Sequence, residues 1–191
     1  LFMVDTASAI TAAIAAPSEV RGVAAHPYLD LAYAASAGGD LLVVDTRRLT
    51  VAAAIPLASD PWDVAVSPDG AGTGPTWVYV GNRWGAGLAV IDADAQRVHT
   101  TTTGLDFLTG LAVAPDSAGA GPTRVYAAAQ WRGLHVLDFD KGTASYSTTV
   151  AGLGRVSDVA LTCEGASPAR RVFRAAGTLP AFTIVEPTYG V

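Results

Sequence analysis

Three histidines, one cysteine and seventeen acids are among the side chains of this 191-residue sequence that could do acid–base, nucleophilic or metal chemistry. His26, His99 and His135 fall in three different kinds of apolar segment, so no three-histidine metal site is expected; His135, between Leu134 and Val136, reads as a strand residue. No HExxH, CxxC or calcium-loop spacing occurs, and no Ser, His and acid share one loop. No catalytic, metal-binding or cofactor-binding residue is therefore assigned. Cys163 is the single cysteine, which excludes an internal disulfide, and its apolar surroundings make it a small buried hydrophobe rather than a reactive thiol.

Five acids invite a functional story because each closes an apolar pentapeptide: LFMVD to Asp5, LLVVD to Asp45, LAVID to Asp92, LHVLD to Asp138 and FTIVE to Glu186. They could ring one surface with negative charge. The better expectation is structural, since an acid after a strand accepts backbone N–H groups in the turn that follows. Asp92 with Asp94 and Asp138 with Asp140 make DxD pairs of the sort that hold calcium, but the remaining ligands are not visible.

The aromatic and arginine residues are more suggestive. Asn82-Arg83-Trp84 and Gln130-Trp131-Arg132 occupy equivalent places, where an earlier copy has the small Ser36-Ala37-Gly38. Trp and Arg are the types enriched at binding hot spots, so Arg83, Trp84, Trp131 and Arg132 are the interface candidates. The alternative is that both Trp rings cover neighbouring structure as packing.

The elements that must position these residues follow from a repeat. The five closing acids are 40, 47, 46 and 48 residues apart, and Tyr33, Tyr79, Tyr126 and Phe173 recur at 46, 47 and 47. Each period contains four segments of four to eight residues, bounded by Pro, Gly, Asp or Arg. In the second unit these are WDVAVSP, TWVYVGN, LAVID and RVHTTTT, and the shorter first interval reflects the absence of the insert seen at Pro68 to Thr76 and Pro115 to Thr123. Four short strands per period of about 45 residues is the arithmetic of a β-propeller blade. The sequence thus predicts an all-β propeller with units at about 1–20 (partial), 21–60, 61–107, 108–155 and 156–191 (partial), seventeen strands in all. The Val-rich first strands should be innermost and the Thr-rich fourth strands outermost. A β-sandwich also uses short, regular strands, but does not explain the same order recurring in register. The ends do not make a tidy ring, so the chain is expected to be part of a larger propeller of six to eight blades or to be completed by another chain; a four-bladed ring with one odd strand is the alternative.

Composition bounds the partners. Half the residues are apolar and 15% are charged, as in folded globular chains. The net charge of −5, with no long basic cluster, argues against nucleic acid. No apolar run approaches the roughly 20 residues that span a bilayer. The chain begins with Leu1 and shows no leader, so its start reads as processed or truncated.

The unit PWDVAVSPDG followed by TWVYVGN and LAVID resembles the YVTN family of β-propeller repeats, and GLAVID and GLHVLDFDKG with RGVAAHP equally resemble LVIVD-repeat proteins. The resemblance implies a non-enzymatic binding or scaffold module of a cell-surface, secreted or periplasmic protein, with protein as the partner and glycan as a second class. Related propellers include lactonases and quinone-dependent dehydrogenases. The alternative it implies is therefore an enzyme using acids around the channel mouth and a divalent cation. AlaHisPro in the first unit and ThrCysGluGly in the fourth depart from the family's SerProAspGly. Trp62-Asp63 begins a first strand and is not the WD40 dipeptide, which ends a later one.

Overall fold

The structure is a computed structural model and describes residues 1–5, 10–57, 59–67, 75–85, 87–114, 123–150, 153, 155–162, 171–176 and 182–185. Seventeen strands form, with no helix among the described residues. The alanine-rich stretches are strands because their neighbours alternate with period two; Thr50–Pro56, for instance, alternates exposed and half-buried positions up to the buried Ile55.

Strand order follows chain order within every sheet, and every pairing is antiparallel. The hairpin β1 (Phe2–Asp5) and β2 (Ile10–Ala13) is a two-stranded sheet. Three four-stranded sheets follow. The first is β3 (Val20–Ala25), β4 (Leu31–Ser36), β5 (Asp40–Asp45) and β6 (Thr50–Pro56). The second is β7 (Pro61–Val66), β8 (Trp77–Asn82), β9 (Leu88–Asp92) and β10 (Arg97–Thr102). The third is β11 (Leu108–Ala114), β12 (Thr123–Ala129), β13 (Gly133–Asp140) and β14 (Thr143–Val150). A three-stranded sheet of β15 (Val156–Thr162), β16 (Arg171–Ala176) and β17 (Phe182–Val185) completes the described residues.

The first strands of successive sheets, β3, β7, β11 and β15, touch one another in turn, while β10 at the far edge of its sheet is largely exposed. The sheets are therefore blades stacked face to face around their first strands, which is propeller rather than sandwich geometry. Residues 68–74 and 115–122 of the inserts, Cys163, Glu186 and the Phe173 side chain lie outside the description.

Alternation along each strand sends one set of side chains to the preceding blade and the other to the next. Tyr33, Leu41 and Val43 pack against Val64, Val78, Val80 and Ile91 of the following blade. Tyr79 likewise meets the third blade, its ring centroid 5.1 Å from that of Phe139, and Tyr126 packs with Val156 and Val159 of the fourth. The recurring aromatic of the sequence is the knob each blade presents to the next, and all three Tyr rings are essentially inaccessible. Burying each contributes a few kcal/mol, about 25 cal/mol per Å² of apolar surface. On the other side of the first blade, Ile14 covers Ala32, Ala34, Leu42 and Val44.

Candidate functional site

One backbone hydrogen bond, repeated in three blades, fixes the end of the blades that carries the Trp–Arg residues. The residue after each second strand donates its N–H to the carbonyl just before the first strand: Ala37 to Glu19 (2.8 Å), Arg83 to Asp60 (2.9 Å) and Gln130 to Phe107 (3.1 Å). The loop leaving β8 and the segment entering β7 are thereby held side by side, and the same holds in the blades on either side.

Each first strand also carries a bulge near its start, where pairing skips Arg21, Trp62, Thr109 and Ser157. A bulge re-aims the side chain of the extra residue. Both Arg21 and Trp62 belong to the rim cluster described below.

The loop 83–87 is anchored at its base by Asn82, which is fully buried. Its Nδ2 donates to the Gly87 carbonyl at 3.0 Å, and its Oδ1 accepts from Ser59 Oγ at 2.6 Å. Gly87 has φ +67°, and a Cβ there would lie 2.1 Å from the Thr102 carbonyl oxygen, so only glycine fits. The structure shifts the expected correspondence of the two triplets by one residue: Ala129, not Gln130, stands in place of Asn82, Gln130 in place of Arg83 and Trp131 in place of Trp84, and the third-blade loop closes by a tighter turn, with Arg132 N–H donating to the Ala129 carbonyl at 3.3 Å.

On this scaffold cations and aromatic rings alternate across four successive blades. The Arg21 and Arg83 guanidiniums lie 4.8 and 4.4 Å from the centre of the Trp62 ring. Arg83 also lies 4.9 Å from Phe107 and 5.9 Å from Trp84. Phe107 meets Trp84 edge-on at 4.6 Å and Trp131 at 6.0 Å, and Arg155 stacks on Trp131 at 4.4 Å. Each cation over a ring contributes about 0.5–2 kcal/mol, more where water is excluded. Phe107 is 7% exposed, whereas Trp84 and Trp131 are 62% and 63% exposed. The two indoles each set an edge against this buried ring and leave most of their surface in solvent. Phe107 also adopts φ +59°, a left-handed conformation that costs a bulky residue about 1–3 kcal/mol and is found where the surroundings enforce it.

Of the four residues singled out in the sequence, Arg83, Trp84 and Trp131 converge on Phe107. Arg132 turns aside, pairing with Asp106 at 3.1 Å on the exposed rim. Arg155 takes the place over Trp131. Sequence reasoning missed Arg21, Trp62, Phe107 and Arg155, although Phe107 and Arg155 are 48 residues apart, each immediately before a first strand.

The remaining candidate groups have structural partners. Asp45 and Asp92 accept the two N–H groups that follow in their turns, from Arg47 and Arg48 and from Asp94 and Ala95. Hydrogen bonds from Arg48 hold the Asp45 carboxyl below the usual range. Asp138 departs from the turn-capping expectation. Its strand runs on to Asp140, and it forms a two-pronged pair with Arg124 opposite it in the register, at 2.6 and 2.7 Å, with the guanidinium's pKa raised in consequence. Backbone around Asp5 and Glu186 falls partly outside the description. His26 Nδ1 accepts from the N–H groups of Tyr28 and Leu29, closing the turn after β3, and burial lowers its pKa. His135 shares a 2.8 Å hydrogen bond with Thr149 Oγ1, and burial lowers its pKa, with the Arg132 charge adding to the effect. Asp63, largely buried, is raised by desolvation. Among the described residues no group of three or more His, Cys, Asp and Glu is placed to hold a metal ion, and no helix is long and apolar enough to cross a membrane.

No protein-family model and no curated protein sequence matches the chain. Solved structures do. Kuenenia stuttgartiensis hydrazine synthase matches with a TM-score of 0.68 at 17% identity, over 97% of this chain and 58% of that one. The RRP9 WD40 repeats match at 0.63 and 16%, over 90% and 52%. The computationally designed Ika8 protein matches at 0.59 and 14%, over 82% and 42%. The chain thus spans between 42% and 58% of the length of these structures. WD40 repeats are propeller blades, and the likeness is one of fold: this chain is an all-β, β-propeller-type repeat protein.

Proposed function

We propose that the chain is a non-enzymatic recognition module that binds a protein partner through the rim carrying Trp84, Phe107 and Trp131. The observation that carries this reading is the pair of solvent-exposed indoles standing on a buried, conformationally strained Phe107. Two large exposed apolar rings beside Arg83 have the composition of an interface hot spot, and both loops that carry them rest their indoles on the buried Phe107 ring.

The finer assignment rests on the sequence. The chain is proposed to be a YVTN/LVIVD-type repeat protein, with blades at about 1–20 (partial), 21–60, 61–107, 108–155 and 156–191 (partial). It is further proposed to belong to a larger ring at a cell surface, in the periplasm or in a secreted assembly. Glycan is the second class of ligand for the same rim.

Site-specific photo-crosslinking in the cells that make the protein tests this. A photoreactive residue at position 132, beside Trp131, should yield discrete protein adducts. One at position 98, on the outer strand β10, should not. Identical adduct patterns from both positions, or none from position 132, would refute the reading.

A further inference from the structure

Four arginines line the rim cluster, and their charges are not equally matched. Arg21 pairs with Asp60, and Arg132 with Asp106. Arg83 and Arg155 have no carboxylate within ion-pairing distance among the described residues. Both are half-buried and spend their flat faces on aromatic rings: Arg83 on Trp62 and Phe107, Arg155 on Trp131. Arg83 Nε is buried with no acceptor among the described residues, which leaves the terminal nitrogens as its donors to a ligand.

A guanidinium stacked on a ring is held flat with its N–H edge free, and that edge matches a carboxylate. In a chain of net charge −5, two such unmatched cations on one rim, separated by exposed apolar rings, define a ligand with two negative groups and an apolar group between them. The spacing is bounded by three steps: 4.9 Å from Arg83 to Phe107, 6.0 Å from Phe107 to Trp131 and 4.4 Å from Trp131 to Arg155. These place the cations no more than about 15 Å apart, which an extended peptide covers in about four or five residues at roughly 3.3 Å each.

Building on the recognition reading above, we propose that the rim binds an extended acidic peptide segment. Two Asp or Glu side chains within about five residues of each other meet Arg83 and Arg155, and an apolar side chain lies between Trp84 and Trp131. A neutral glycan would use the indole faces but leave both cations unmatched.

Selection of random 12-residue peptides displayed on phage tests both levels. Wild-type protein serves as bait, with counter-selection on the Trp84→Ala/Trp131→Ala double variant. Winners that depend on the indoles should carry two acids at that spacing around an apolar residue. A synthetic winner should bind at least tenfold more weakly to Arg83→Met and to Arg155→Met, and equally well to Arg48→Met. Should either rim variant fail to fold, the wild-type protein alone gives the same answer: affinity should fall steeply between 50 and 500 mM NaCl, and a Gln-for-Glu version of the peptide should bind at least tenfold more weakly. Indole-dependent winners that are neutral or basic, or acidic winners indifferent to salt and to both arginines, would overturn the acidic-peptide inference and leave the recognition reading standing. No indole-dependent winners, with oligosaccharides such as chitohexaose bound instead, would overturn the peptide inference in favour of glycan. No indole-dependent ligand of either kind would overturn both.

Discussion

The Asp63 carboxylate of β7 accepts the backbone N–H of Leu111 in β11, 2.7 Å away on the next blade. This bond crosses between first strands, where the blades come closest, so it ties the second blade to the third at the axis. Burial raises the Asp63 pKa, with the Asp158 charge adding to it. A raised folded-state pKa means that protonation is favoured in the folded protein. The stability tied to it is present below the ordinary carboxylate range and is lost as pH rises through the folded value.

Asp63→Asn should therefore keep the acceptor for Leu111 and remove a buried charge. Its melting temperature at pH 7 should equal or exceed that of the wild type, and the difference should shrink toward pH 4. Asp63→Ala strands the Leu111 N–H and should cost about 1–3 kcal/mol. Thermal unfolding of both variants across pH 4–7 checks the pair of outcomes.

Gly110 marks the same kind of contact one blade on. A Cβ there would lie 2.6 Å from Asp158 Oδ1 and 2.8 Å from its Cα, and the Cα cannot swing away. Gly110→Ala should force the third and fourth blades apart and cost about 1–3 kcal/mol, the usual size of overpacking. Denaturant unfolding reads it directly.

Acid should loosen the interface around His135. The ring is 6% exposed, and Nε2 is buried with no acceptor among the described residues, so the protonated form is disfavoured. A lowered folded-state pKa gives stability that is present above the ordinary histidine value near 6.5 and is lost as pH falls below it. His26 is shifted in the same direction and adds to the effect. Melting temperature should drop between pH 6.5 and 5, and the drop should be smaller in His135→Gln, which is never charged. An unchanged slope would show that His135 does not carry it.

Asn82 separates anchoring from contact. Asn82→Ala removes the partner of Ser59 Oγ and of the Gly87 carbonyl without touching the exposed surface. It should cost about 1–3 kcal/mol and let the loop bearing Trp84 move, so hydrogen exchange in residues 83–87 should quicken. The third-blade loop, which uses Ala129 at this place, should keep its exchange rates.

The blades were readable because their physics repeats. A Tyr every 46 or 47 residues is the knob between blades, and Asp45 and Asp92 cap turns as their positions after apolar strands suggest. Asp138 broke that pattern because Arg124 stands opposite it, a cross-strand relation that depends on register and not on spacing. The rim was half legible. Trp84 and Trp131 stood out by type and equivalent position, but Phe107 and Arg155 enter from the connections that precede β11 and β15. Arg21 and Trp62 reach the cluster from positions that the ladder skips, and no local pattern marks a bulge in advance. Arg132, an equally good candidate by sequence, is drawn to Asp106 instead.

The rim's role is decided most directly by measuring affinity and stability together in Trp84→Ala/Trp131→Ala. Each indole contributes about 1 kcal/mol to folding, the size of an edge-on aromatic contact, or about 2–4 °C in a chain of this length. As binding anchors they should each contribute about 2 kcal/mol or more, roughly thirtyfold in Kd. The expected result is a double variant that melts within about 8 °C of the wild type and, with the two contributions adding, binds the protein captured from position 132 roughly a thousandfold more weakly. Undiminished affinity in a folded double variant, or a collapse of the fold itself, would contradict the account.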